Sequence, residues 1–299
     1  MMGKLYHWHK SGIPHSDVNL GYHAWYDSSD MNHSPPDLHI SKSSAARVVK
    51  MVDGNWHLEI PSTTRGGYRL AQLDDHGSLR RGNFLWKPPL TLSLQARVSA
   101  EELPGTWGFG LWNDPFSFMF AYNRLVPRFP ALPDAIWFFH ASPQNYLSLR
   151  DDLPVNGFLA ATFSSNNVPA ALLALASPTL ALTLIPGAAQ IVRRLLQRVI
   201  HQDATLIHTN VTDWHAYMLE WDAGQVRISL DGAYIFETNI VPRGPLSLVI
   251  WVDNQFAALP PVGRLKYGTL PNPEPAWMEL RDIRLLDHTW IKSGISHLN

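Results

Sequence analysis

Two candidate strands end alike, in Trp112-Asn113-Asp114 and Trp251-Val252-Asp253-Asn254. Asp and Asn in such places can grip hydroxyl groups, and a desolvated Asp can act as a general base. The competing role is turn chemistry, in which Asx side chains bond their own backbone, and Asn113-Asp114-Pro115 suits it well. His140 closes the apolar run Ala135-Ile136-Trp137-Phe138-Phe139. There it can serve as acid or base, its proton affinity tuned by Trp137 and Phe139, or simply as a structural His. Asp114, His140 and Asp253 are thus the candidate catalytic groups. Trp112, Trp137 and Trp251, with Asn113, Tyr146 and Asn254, are the candidate ligand contacts. Flat rings stack on the apolar faces of sugars or on lipophilic rings, although each Trp can equally be core packing.

Other chemistries are excluded or unsupported. The chain has no Cys, which removes disulfides, thiolate metal sites and a Cys nucleophile. Its 14 His show no metal-site spacing; His7 and His9 are close, but a terminal pair alone builds no site. No metal and no cofactor is expected. No Ser-His-Asp order, phosphate-binding loop or dinucleotide fingerprint is evident. A net charge of −1 without a basic stripe argues against nucleic acid as a partner. The N-terminus carries no apolar leader segment, so a cytoplasmic location is expected.

The elements that must position these residues are short strands. Ala46–Met51 and Asn55–Ile60 flank Asp53-Gly54, a hairpin signal. Leu90–Val98 alternates strictly, as a strand with one wet face does. Tyr68–Leu73, Trp107–Trp112, Phe116–Tyr122, Ala135–Phe139, Tyr146–Leu149 and Gly157–Phe163 continue the series. Trp214–Trp221, Gln225–Leu230, Ala233–Glu237, Leu246–Val252 and Met278–Leu286 complete it. So many short strands and so few helix signals predict an all-β, two-sheet antiparallel sandwich. It is read as one domain over 1–299, with 1–45 as an N-terminal extension and 164–205 as an insertion.

That insertion, helical around 168–202, is uncharged from Ser164 to Val192. After Pro186-Gly187 the spacing predicts a helix with Ala188, Ile191, Val192, Leu195, Leu196 and Val199 on one face. Gln190, Arg193, Arg194, Gln197 and Arg198 take the other. A spanning helix needs ~20 apolar residues, and Pro178 interrupts the stretch. A helical pair packed on the sandwich, a lid over a cleft and a peripheral membrane contact through the Arg face all remain open.

Residues 84–286 resemble the glycoside hydrolase family 16 branch of the concanavalin A-like lectin and glucanase superfamily. Gly105-Thr106-Trp107-Gly108-Phe109-Gly110-Leu111-Trp112 is similar to its Gly-x-Trp-Pro-Ala-x-Trp strand. Trp214-His215-Ala216-Tyr217-Met218-Leu219-Glu220-Trp221 resembles its Trp/Phe-His-x-Tyr-x-x-Glu-Trp strand. Gln225–Gly232 resembles the strand ending in Val-Asp-Gly, and Pro245–Trp251 the one that follows. The resemblance implies a jelly roll whose concave sheet holds the ligand, and structural roles for His215 and Glu220. The family's Glu-x-Asp-x-x-Glu is replaced by Asp134-Ala135-Ile136-Trp137-Phe138-Phe139-His140. Retaining hydrolysis needs two carboxyls ~5–5.5 Å apart, so the activity does not carry over.

Two functions follow as expectations. The first is non-hydrolytic binding of a carbohydrate or amphiphilic small molecule in an aromatic cleft. The alternative is an enzyme of isomerase, cyclase or lyase type, acting on a hydrophobic substrate under a lid formed by 164–202. The oligomeric state stays open.

Overall fold

The computed structural model describes residues 38–64, 67–77, 79–115 and 128–288. The strand expected at Phe116–Tyr122 and the pair His7 and His9 lie outside them. Within them the chain runs β1 (His39–Lys42), β2 (Arg47–Lys50), β3 (Trp56–Ile60), β4 (Leu70–Asp74), β5 (Leu90–Val98) and β6 (Thr106–Trp112). Next come β7 (Ala135–Ala141), β8 (Gly157–Ser165), α1 (Ala170–Ala176), a 3-10 stretch (Ser177–Leu184), α2 (Pro186–Val199) and β9 (Ile200–Leu206). The rest are β10 (His215–Trp221), β11 (Val226–Leu230), β12 (Ala233–Thr238), β13 (Ser247–Asp253), β14 (Gln255–Ala258), β15 (Lys266–Thr269) and β16 (Ala276–Asp287).

Fourteen of the strands form two seven-stranded antiparallel sheets packed as a jelly-roll sandwich, and β14 and β15 pair with each other as a separate hairpin. One large sheet has the order β1-β4-β13-β6-β7-β8-β9, the other β12-β11-β10-β5-β16-β3-β2. Alternation sorts each strand between core and surface. In β5 the five residues Leu90, Leu92, Leu94, Ala96 and Val98 are buried, and the four between them are half-buried. Trp107, Phe109 and Leu111 of β6 meet Tyr217, Leu219 and Trp221 of β10 in the same inter-sheet core. The turn between β11 and β12 uses Asp231 and Gly232 at φ 50° and 82°. Such a two-residue turn demands positive φ at both positions, which Asp tolerates and Gly prefers. Asp231 also accepts from Ala216 N–H and lies 2.6 Å from His215 Nδ1, so His215 is structural.

Three expectations change. His39–Lys42, read as part of the N-terminal extension, forms the edge strand beside β4. Tyr146–Leu149 is not a strand: Tyr146 makes only an isolated bridge to Ala258. Residues 200–206, read within the insertion, form β9 against β8.

The helical insertion is turned round relative to its sequence pattern. Pro186 opens α2 at its first turn, where its missing N–H costs nothing. The inward residues are Ala189 and Arg193, whereas Ile191 and Leu195 are exposed. Arg193 explains the inversion. Its guanidinium donates to Ser148 O and Leu259 O, both at 2.8 Å, and to Asp151 Oδ1 at 2.6 Å. It also lies over the Tyr146 ring at 5.4 Å. Gln197 adds a bond to Leu149 O, and Thr183 O accepts from Leu265 N–H. Polar bonds to loop carbonyls, rather than apolar burial, fasten the insertion to the sandwich. Among the described residues no helix is long and apolar enough to cross a membrane.

Candidate functional site

The first sheet has a second apolar layer on its outer face, the face turned away from the other sheet. Because side chains alternate, every second residue of β13, β6, β7 and β8 points there. These are Val249 and Trp251, then Thr106, Gly108, Gly110 and Trp112, then Ala135, Trp137, Phe139 and Ala141, then Leu159, Ala161 and Phe163. Small residues on β6 make this possible. A Cβ on Gly108 would stand 2.4 Å from Phe138 O and 2.8 Å from the Trp251 ring. Trp251 therefore folds across the glycine strand toward Phe139, 5.7 Å away between ring centroids. Trp112 and Trp251 are stacked at 6.4 Å with 7° between planes, and Trp137 stands 5.6 Å from Trp251. Trp137 and Trp251 are only 7 % and 8 % exposed, while Trp112 keeps part of its ring open.

Polar groups thread this layer. Trp251 Nε1–H donates to Thr106 Oγ1 at 3.0 Å, and Thr106 Oγ1–H donates to Asp253 Oδ1 at 2.9 Å. The same Oδ1 accepts from the backbone N–H of Thr106 and Gln255. Even so, burial pushes the Asp253 pKa up to about 7, because the three donors only partly replace lost water. Asp74, on the same face, goes the other way. Burial raises its pKa, but neighbouring His76 and donors from Gln72 and Gly77 outweigh that and leave it below 3.8. The indole N–H groups of Trp112 and Trp137 are buried and meet no acceptor among the described residues. The indole N–H groups of Trp107 and Trp221 in the inter-sheet core are in the same condition, so each of the four costs stability, about 1–3 kcal/mol for a buried donor without an acceptor.

The structure brings Trp112, Trp137, Trp251 and Asp253 onto one face and sends the other candidates elsewhere. The expectation that His140 faces the same hollow is corrected. His140 belongs to the opposite face of β7 and stacks on Trp107 at 5.4 Å, at the end of the inter-sheet core. Burial holds its pKa down at about 4, so it is neutral at pH 7. It lines a cleft of about 480 Å³ together with Glu101, Glu102, Phe158 and His208.

Asn113 spends its amide on Leu132 O and Asp134 N, pinning the loop after β6. Asp114 is fully buried at φ 52° and pairs with Arg128 at 2.6 Å. Asn254 is consumed by backbone, accepting from Arg69 N and donating to Gly67 O and Leu270 O. Tyr146 lies beneath Arg193 in the seam with the insertion.

Sequence reading missed Thr106 and Phe139, although the alternation of β6 and β7 would have placed both beside the tryptophans. It also missed a buried polar chain. Ser247 Oγ lies 2.7 Å from His76 Nδ1, and His76 Nε2 lies 3.7 Å from Asp114 Oδ2. These groups come from residues far apart in sequence, so no motif announced them. Ser247 is wholly buried and His76 nearly so, which makes the chain a structural bolt beside Trp112.

Among the described residues this face has no geometry for double displacement. The outward residues of β7 are Ala135, Trp137, Phe139 and Ala141, none of them titratable. Asp74 and Asp253 lie four residues apart along paired strands, about 13 Å, far beyond the ~5–5.5 Å of a nucleophile and acid pair. Among the described residues no three His, Asp or Glu side chains group as metal ligands.

No family model and no curated protein matches the chain. Solved structures do resemble it. A glycoside hydrolase family protein from Mycobacterium thermorestibile is 15 % identical, covering 85 % of this chain and 95 % of that one, with a TM-score of 0.45. A glycoside hydrolase family 16 endo-glucanase from Bacteroides ovatus is 11 % identical over 83 % and 94 % of the two chains, TM-score 0.45. A legume lectin-like domain from Entamoeba histolytica is 9 % identical over 84 % and 91 %, TM-score 0.41.

Proposed function

We propose that the aromatic outer face of the first sheet binds a carbohydrate or a similarly amphiphilic small molecule without hydrolysing it. One observation carries the reading. Trp112, Trp137 and Trp251 stand together as a layer of rings on one face of the sheet, and Trp112 keeps part of its ring open. A sugar presents apolar C–H faces to such a ring. The test is a titration of the full chain with β-glucan oligosaccharides, followed by Trp fluorescence and calorimetry. Trp112→Ala removes the partly open ring, so it is expected to weaken binding about tenfold, on the scale of one lost ring contact. Silence toward every oligosaccharide, or release of new reducing ends, sinks the reading.

A second reading rests on Asp253. A carboxyl with pKa about 7 suits general acid–base work near neutral pH. It supports an isomerase, cyclase or lyase acting on a hydrophobic substrate under residues 164–202. The discriminating result is an Asp253→Asn variant that binds normally but has lost turnover.

A further inference from the structure

We propose that the helical insertion docks on an anionic lipid surface through the outward face of α2 and the 3-10 stretch before it. The observation is apolar surface where solvent should be. Leu172, Leu175, Leu182, Leu184, Ile185, Ile191 and Leu195 are all exposed, Leu175 at 78 % and Ile191 and Leu195 at 57 % and 53 %. Large contiguous apolar surface on a folded domain marks an interaction site.

The helix geometry shows that this face is turned outward by construction. At 100° per residue, Ile191 and Leu195 lie about 200° round the helix from the buried Ala189 and Arg193. Arg193 is fixed to Ser148, Leu259 and Asp151, so the helix cannot roll to bury Ile191 and Leu195 without breaking those bonds. The anchoring arginine holds the apolar face out.

Charge selects the occupant. Arg194 and Arg198 are exposed and form no ion pair among the described residues. They border the apolar row on one side, Arg194 about 60° from Ile191 and Arg198 about 60° from Leu195 round the helix. No Asp or Glu occurs between Leu153 and Gln202. Apolar side chains bordered by long cationic ones match the boundary between acyl chains and anionic headgroups, with the arginines reaching out to phosphate. A second copy of the chain fits less well. An isologous dimer would place this acid-free, arginine-flanked face against itself.

The experiment uses the full chain and sucrose-loaded vesicles of phosphatidylcholine alone or mixed equally with phosphatidylglycerol. Sedimentation with the anionic vesicles, weakened by salt, is expected. Ile191→Glu with Leu195→Glu, and separately Arg194→Gln with Arg198→Gln, should each lower partitioning roughly tenfold or more. Because the chain lacks Cys, Leu195→Cys and Glu237→Cys can each carry one environment-sensitive dye. A blue shift at 195 but not at 237 on vesicle addition supports the proposal without relying on the charge variants. Absence of sedimentation with anionic vesicles overturns it. So does unchanged binding by the Glu variants, a shift at 237 rather than 195, or a dimer that blocks vesicle binding and separates when Ile191 and Leu195 are replaced.

Discussion

Replacing Asp253 by Asn should make the protein more stable at alkaline pH and leave it nearly unchanged in acid. Three donors meet one oxygen of Asp253, namely Thr106 N, Thr106 Oγ1 and Gln255 N. An Asn carbonyl can accept the same three, so the substitution removes the ionisable group and little else. The sign follows from linkage. Burial raises the folded-state pKa from 3.8 to about 7, so the native state holds its proton longer than the unfolded chain. Below pH 3.8 both states are protonated and no penalty exists. The penalty grows as pH rises and is complete above about pH 8. Its ceiling is about three pH units at about 1.4 kcal/mol each, so roughly 4 kcal/mol. Residual hydration at this nearly buried site brings the expectation to about 2–4 kcal/mol. The assay is urea unfolding of both proteins at intervals from about pH 4.5 to 8.5, read by Trp fluorescence. Asp75, whose pKa burial also raises to about 7, makes both proteins lose stability over this range; the difference between them isolates Asp253. A difference that does not change with pH, or a variant weaker than wild type at pH 8, refutes the reasoning.

Three further outcomes are expected. Gly108→Ala forces a methyl to within 2.4 Å of Phe138 O and 2.8 Å of the Trp251 ring, so the Trp layer must reorganise. Near-UV circular dichroism should lose its Trp bands, with a stability loss of about 2–3 kcal/mol by urea melt. Asn254→Ala leaves Arg69 N, Gly67 O and Leu270 O without their buried partner. A drop of about 2–4 kcal/mol in urea unfolding is expected, whereas a purely ligand-facing Asn would cost almost nothing there. Arg193→Met removes the bonds from α2 to Ser148 and Leu259, so limited proteolysis should cut within 164–199 much faster while the sandwich survives.

The strands were legible because alternation is a local signal: Leu90–Val98 carries its own burial pattern residue by residue. Strand edges were less so. His39–Lys42 and Ile200–Leu206 gain their identity from the neighbours they pair with, β4 and β8, which a single stretch does not display. In the outer face, Trp112, Trp137 and Trp251 were readable from their strand positions. His140 was misplaced by one step of alternation: it follows Phe139, and an odd step changes the face. Asn254 and Asn113 look like hydroxyl binders in sequence because the carbonyls and amides that satisfy them come from distant loops. The orientation of α2 was left open by the sequence, since its two faces fit a packed pair, a lid and a membrane contact alike. Apolar periodicity assumes that burial decides which face turns inward, and here hydrogen bonds from Arg193 to loop carbonyls decide it.

The outer face also limits what chemistry could be built there. An acid in this layer must bring its own donors, as Asp253 shows by titrating near 7 despite three of them. A Glu at Trp137 would point from β7 into the space above Gly110, among Trp112, Phe139 and Trp251. Its pKa should rise well above the carboxylate range, and as a neutral acid it could not act as a nucleophile. One acid placed on β7 therefore destabilises the layer and supplies no nucleophile. Glycosidase chemistry needs the paired carboxyls together with the hydrogen-bonding shell that keeps one of them charged, and a layer of rings over a glycine strand has no place for that shell.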